Sequence, residues 1–146
     1  MSTLRTVYDA MNRGDVDSIL RVQAADVVWR GGFADLTEPH RGHAGVRTFA
    51  RRLNEAWDDF GIVPERFIDL GGRVLVLARE HGRGRYSGAE VRSHQTAHVW
   101  TLRDGEVVHF QVYWDREEGI RAARAEGATP RAGAAAAAGA APRPRA

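Results

Sequence analysis

A chain of 146 residues with 43% apolar residues and a formal charge of only +2 is long enough to build one domain around a substantial core. It has no cysteine, which excludes a disulfide framework, a thiolate nucleophile and a cysteine metal site. Its 21 basic residues are all arginine, so Schiff-base chemistry and a lysine general base are excluded as well.

Acidic residues interleave with arginine, as in Asp115-Arg-Glu-Glu118, so no single-sign stripe forms and nucleic acid is not an expected partner. There is neither a run of about 18 apolar residues nor a basic-then-apolar leader. No membrane partner is expected, and a cytoplasmic location is the default.

Leu4, Val7, Tyr8 and Met11 share one face of a helix that Gly14 should end, and Asp15 should cap a second short helix carrying Val16, Ile19 and Leu20. Asp26 to Arg30 reads as a strand, and residues 33 to 42 as a loop. From about Gly45 to Phe60, Val46, Phe49, Ala50, Leu53, Trp57 and Phe60 recur at three- and four-residue steps, which predicts a long amphipathic helix. Pro64 to Leu70 is a strand. Arg73 to His81 is apolar on both parities, which predicts a central strand covered on both faces.

Residues 92 to 115 read as an antiparallel hairpin around Arg103-Asp104-Gly105. A three-residue loop would set Leu102 opposite Glu106, Trp100 opposite Val108 and His98 opposite Phe110. His98 and His94 would then share a buried face with Trp100, Val108, Phe110, Val112 and Trp114. A two-residue Asp104-Gly105 loop would instead slip the register and move His98 to the face of His109, Gln111 and Tyr113. The first register is preferred because a hairpin in a small domain must bury one face. Residues 117 to 126 can add a last helical turn or two. Residues 127 to 146, rich in Ala, Gly, Pro and Arg, lack large apolar side chains and should form a disordered tail, leaving 1 to 126 as the folded domain.

The element order indicates an α+β fold with a strongly curved antiparallel sheet wrapping a long helix. Four segments carry a resemblance: Tyr8-Asp-Ala-Met-Asn-Arg-Gly-Asp15, Ala25-Asp-Val-Val-Trp29, Arg41-Gly-His-Ala-Gly-Val-Arg47, and Asp104-Gly-Glu-Val-Val with Tyr113-Trp-Asp115. Over most of its length the chain resembles the SnoaL-like, polyketide cyclase-like branch of the nuclear transport factor 2-like superfamily. The resemblance implies a cone-shaped roll, a hydrophobic pocket at its wide end, and a dimer through the sheet. Members include polyketide cyclases, a ketosteroid isomerase, epoxide hydrolases and binding proteins without chemistry, so fold does not give function. The isomerase's carboxylate base would fall at Gly31, its tyrosine donor near Val7 with Tyr8 one place off, and its protonated acid at about His98. The epoxide hydrolase's base falls at Val112. Asp115 matches a residue common in the branch.

His98 is the leading candidate for catalysis, as an imidazole walled by rings that could give or take one proton near neutral pH. Asp115, through a bulge, or Arg79, which shares strand parity with His81, could polarise a substrate oxygen. Trp29, Trp100, Phe110, Val112, Trp114 and His94 are the expected wall for a small hydrophobic or aromatic molecule. His40 and His43 fall short of the three ligands a zinc site needs, so neither metal nor organic cofactor is expected. The expected function is a small-molecule pocket protein, as a cofactor-independent cyclase or isomerase acting next to a carbonyl. The alternative is a non-catalytic ligand-binding or dimerisation module. In either case a homodimer is expected through the outer sheet face carrying Val99, Val107 and Tyr113.

Overall fold

In the computed structural model, which describes residues 2–31 and 38–125, the two opening helices form as their patterns require. Helix α1 (Ser2–Arg13) buries Leu4, Val7 and Tyr8. Gly14, at φ +71°, turns the chain. Asp15 then caps α2 (Val16–Leu20), accepting from the Ser18 backbone N–H at 3.2 Å and the Ser18 hydroxyl at 2.7 Å. The chain continues through β1 (Gln23–Gly31), β2 (His40–Arg41), α3 (Gly42–Ala56), β3 (Trp57–Asp69), β4 (Arg73–Gly84), β5 (Glu90–Arg103), β6 (Glu106–Tyr113) and α4 (Arg116–Ala125).

The six strands form one sheet in the order β2-β1-β6-β5-β4-β3. Helix α3 touches β1 and β2 at one end of that order and β3 at the other, so the sheet must curve around it. The core fills the concave side, with Trp29, Phe49, Val76, Trp100, Phe110 and Val112 inside it. The α+β expectation holds, with one correction: β1 runs parallel to β6, while the other neighbours are antiparallel.

The long helix ends four residues earlier than its periodicity suggests. Trp57 is extended (φ −131°, ψ 139°) and pairs with Gly84, so Trp57 and Phe60 belong to β3. Strand pairing with β4 outweighs the weak preference of this stretch for helix. The ladder breaks between Asp58 and Gly61, where Asp59 adopts φ +53°. Pro64 lies on β3, at the edge of the sheet, next to a second break.

The hairpin combines both candidate registers. Asp104 (φ 53°) and Gly105 (φ 82°) make the two-residue turn, with Arg103 opposite Glu106. The ladder then breaks between Thr101, opposite His109, and Leu102, opposite Val107, which leaves Val108 as an extra residue. That insertion restores the parity. Trp100 pairs with Phe110 and His98 with Val112, two residues along from the three-residue-loop pairing. Val107 replaces Val108 in the core.

The convex face is occupied by the chain itself. Helix α4 lies over Leu75, Ala97, Val99 and Tyr113 through Ile120 and Ala123. Gly119 permits the close approach, because a Cβ there would stand 2.5 Å from the Ala97 Cβ and 2.8 Å from the Tyr113 Cβ. Arg116 pins the start of the helix, donating to the carbonyls of Thr96 (3.2 Å) and Ala78 (2.6 Å) and pairing with Glu65 at 2.8 Å. Arg73 donates to the Ala123 carbonyl at the helix's other end. The dimer expectation loses its premise here. Val99 and Tyr113 are covered by α4, and Val107 lies in the main core. The expected tail, residues 127 to 146, lies outside the described residues. Among the described residues no helix is long and apolar enough to cross a membrane.

Gly119→Val should push α4 off the sheet. The expected loss is about 1–3 kcal/mol, the usual range for overpacking, read as a lower urea midpoint with increased binding of a hydrophobic dye. Wild-type stability in this variant would mean that α4 does not pack here.

Candidate functional site

The inward-facing residues of β4 and β5 bring a polar chain into the aromatic core. Tyr8 on α1 reaches His98 on β5, with the hydroxyl 2.6 Å from Nδ1, and accepts from Trp100 Nε1 at 2.9 Å. His98 Nε2 stands 3.2 Å from Glu80 Oε2 on β4. The Thr96 hydroxyl lies 3.4 Å from the same nitrogen. His98 and Trp100 have no exposed surface, and Tyr8 and Glu80 expose 1% each.

The direction of the chain follows from Tyr8. Burial holds its phenol well above the ordinary value; the Trp100 hydrogen bond opposes this and the negative charge of Glu80 adds to it. Tyr8 therefore stays protonated and donates to His98 Nδ1, which leaves Nε2 as the N–H that donates to Glu80. Every link is satisfied in one sense, from Trp100 through Tyr8 and His98 to Glu80.

A separate cleft of about 540 Å³ opens between α1–α2, α3 and the start of β3. Trp29, Phe49, Leu53, Phe60 and Ile62 give it an apolar lining, and Arg13, Arg47, Arg51 and Asp59 bring charge to it. One wall is fixed by Asn12, whose amide donates to the Ile62 carbonyl (2.7 Å) and accepts from the Ile62 N–H (2.8 Å), so that α1 is clipped to β3 as a neighbouring strand would be. Arg13 pairs with Asp15 at 3.4 Å and Arg47 with Asp17 at 2.7 Å. Trp29 separates the cleft from the polar chain, meeting Trp100 edge-on with ring centroids 5.9 Å apart.

The expected site residues are thus distributed over several places. His98 faces inward beside Trp100, Phe110 and Val112, but these four lie beneath Trp29, and of the expected wall Trp29 alone lines the cleft. Arg79 is on the opposite face of β4, with Glu65 (3.0 Å) and Ser93 (3.1 Å), because the parity of Val74, Val76 and Ala78 turns Glu80 inward instead. Asp115 is exposed and caps α4, accepting from the Glu118 N–H at 3.2 Å. His94 stacks on Trp114 at 3.9 Å and bonds the Trp114 carbonyl at 2.7 Å. At Gly31 a side chain would run into the Val112 carbonyl, so this chain has no room for a base there. His40 packs on Phe49, while His43 bonds the Gln23 carbonyl at 2.9 Å, so the two serve different elements.

Glu80 was missed by sequence reasoning, although it shares the inward parity of Val74, Val76 and Ala78. Asn12 was missed as well, since an exposed helical asparagine near a glycine gives no sign of a distant strand partner.

Comparison with known proteins agrees with this geometry. The family model described as SnoaL-like domain matches residues 4–110. The chain belongs to the SnoaL-like domain family. No protein of curated function matches it. Among solved structures it is similar to a nuclear transport factor 2-like protein of unknown function from Burkholderia pseudomallei, at 29% identity and TM-score 0.71, covering 83% of this chain and 94% of that one. A second such protein, from Burkholderia xenovorans, is 27% identical with TM-score 0.68 over 82% and 92% of the two chains. A protein provisionally assigned as a SnoaL-like polyketide cyclase, from Jannaschia, shares the fold at 20% identity and TM-score 0.66, over 77% and 82%.

Two outcomes follow for the SnoaL-like core. Tyr8→Phe leaves Trp100 Nε1 and His98 Nδ1 unpaired at once and should cost about 2–6 kcal/mol, at about 1–3 for each buried group, measured by denaturant unfolding. A neutral result would mean that the chain of hydrogen bonds does not form.

The second concerns pH. Burial holds His40 and His109 below the ordinary histidine value of 6.5, with Arg30 adding to the effect at His109. The unfolded chain therefore binds more protons than the folded one below that value. The stability tied to these two groups is fully present above about pH 6.5 and is lost as pH falls towards the folded values. Tm should fall between about pH 7 and pH 5, and His109→Gln should flatten the slope. A Tm that rises on acidification across that window would contradict the burial effect.

Proposed function

We propose that this SnoaL-like chain binds one small, mainly apolar molecule bearing an anionic or enolic oxygen, held in the cleft between α1–α2 and α3. The observation that carries this reading is the pairing of an apolar lining, Trp29, Phe49, Leu53 and Ile62, with Arg13, Arg47 and Arg51 in the same cleft. A volume of about 540 Å³ falls within the usual range for small-molecule sites. Arg51 has no ion-pair partner among the described residues and is exposed, so its planar fork is free to meet a carboxylate or enolate.

The buried chain of hydrogen bonds supports a second reading, cofactor-independent proton transfer next to a carbonyl, as in a cyclase or isomerase. In this reading His98 is the acid or base, with Tyr8 and Glu80 setting its tautomer, and Trp29 must turn aside for a substrate to reach it. Arg79 and Asp115, occupied at Glu65 and at the cap of α4, take no part. Binding is the leading reading because, among the described residues, no His, Tyr or Glu lines the cleft.

Native mass spectrometry of freshly purified protein should show a discrete added mass of about a few hundred daltons, the size such a pocket admits. Once that ligand is identified, Arg51→Glu should weaken its binding at least about tenfold, the scale of one lost charge-assisted contact, while His98→Asn should leave binding intact. Equal affinity for a neutral analogue would overturn the anion reading. Turnover lost in His98→Asn with binding unchanged would establish the proton-transfer reading.

A further inference from the structure

Asp104 and Asp59 are the non-glycine residues with positive φ among the described residues. Asp104 stands in the hairpin turn that demands it, whereas Asp59 stands inside β3. The ladder places Asp58 opposite Arg83 and Gly61 opposite His81, so Asp59 and Phe60 together face Gly82. This is a β-bulge whose first residue is left-handed, a position that glycine fills without strain. Aspartate tolerates that conformation when its side chain hydrogen-bonds locally. Asp59 makes no such bond, and its exposed carboxylate has no hydrogen-bond or ion-pair partner among the described residues. Its neighbour Asp58 is tied to Arg85 at 3.0 Å. Across a smaller depression of about 250 Å³ Asp59 also borders Arg83 and Arg92, and it pairs with neither.

Backbone strain that no contact within the chain offsets points to function. Asp59 lines the large cleft, where Arg13 and Arg47 are occupied by Asp15 and Asp17. The charges left over are Arg51 and Asp59, which do not pair with each other. A purely apolar acid seated on Arg51 would strip water from the Asp59 carboxylate and offer no donor in its place, which is costly. A ligand that brings its own donor removes that cost. We propose that Asp59 is the specificity-determining residue of this cleft, accepting a hydrogen bond from a hydroxyl or amino group of the bound molecule. The ligand is then bifunctional, with an apolar body between an anionic or enolic oxygen at Arg51 and an O–H or N–H donor at Asp59. This rests on the anion-binding reading of the cleft and adds a second anchor to it.

The test uses fluorescent probes on the intact protein. They are 2-naphthoate, hydroxy-2-naphthoates and amino-2-naphthoates that differ in the position of the substituent, and the methyl ether of each hydroxy compound. At least one hydroxy or amino probe should bind about tenfold more tightly than 2-naphthoate, the scale of one charge-assisted hydrogen bond, and a preferred hydroxy probe should exceed its methyl ether as well. Asp59→Asn, which tolerates the left-handed backbone and removes the charge, should erase that preference without weakening 2-naphthoate. Asp59→Gly releases the strain, so it should erase the preference too while melting no lower than wild type, which an aspartate that only supports the fold would not do. Arg51→Glu should weaken the whole set. The proposal is overturned if no substituent position shows the preference, if the preference survives in either Asp59 variant, or if Asp59→Gly lowers Tm. Binding of 2-naphthoate that Arg51→Glu abolishes would in each case leave the anion reading standing. A set that ignores Arg51→Glu but keeps the hydroxyl preference removes the anion reading alone, and no saturable binding of any probe up to about 1 mM, the weak end of specific binding, removes both.

Discussion

The Tyr8 hydroxyl is the joint on which the interior depends. Helix α1 carries it across the concave side of the sheet, where it accepts from Trp100 and donates to His98. Trp100 stacks on Phe110 at 4.0 Å and meets Trp29 edge-on, and Trp29 in turn meets Phe49 of α3 at 5.3 Å. One polar contact therefore orients a ring system that spans both walls of the cone. Because a buried phenol must find an acceptor and a buried indole N–H must find one too, α1 has little freedom to rotate. Asn12, one turn further along α1, fixes its end to β3 through Ile62. The cleft stays open beside a helix held at two points.

This construction divides the concave space. A cone of this kind could hold one deep pocket, but here Trp29, Trp100 and Phe110 fill the middle and leave the cleft to one side. Apolar contact and arginine charge meet in that cleft. His98 does not line it and is held instead by Tyr8 and Glu80. Access to the imidazole from the cleft is thus set by Trp29, which lines the cleft and meets Trp100 edge-on.

The fold was legible in the sequence wherever local and global signals agreed. The paired opening helices, with Asp15 as cap, followed from periodicity and turn chemistry alone, and the doubly buried β4 followed from apolar residues on both parities. Legibility failed where tertiary pairing overrode a local pattern. Trp57 and Phe60 continue the helical spacing of α3 but are drawn into a strand by β4. Arg79 reads as a candidate because a cation there could orient a substrate oxygen, whereas inward placement is decided by the parity of Val74, Val76 and Ala78, which Glu80 shares. The outer face looked available for a partner because nothing in residues 117 to 125 announces that Gly119 lets a helix lie flat on Ala97 and Tyr113. The family was legible because its short motifs are turn and cap residues in order, and the candidate site was only half legible because its members come from α1, β4 and β5.

The placement of His98 shows how narrow that margin is. Asp104-Gly105 demands a two-residue turn, and a regular ladder built from it would have carried His98 to the convex face, beneath α4. The alternation of Phe110 and Val112 demands that β6 present them inward. Both demands cannot be met by an unbroken hairpin, and the extra residue Val108 reconciles them at the cost of one interrupted ladder step. Everything that the imidazole contacts, Tyr8 from one side and Glu80 from the other, follows from that single insertion. A bulge next to a buried polar chain is therefore part of how this sheet is specified, and the arrangement has to be sought in the conflict between turn and core rather than in either signal alone.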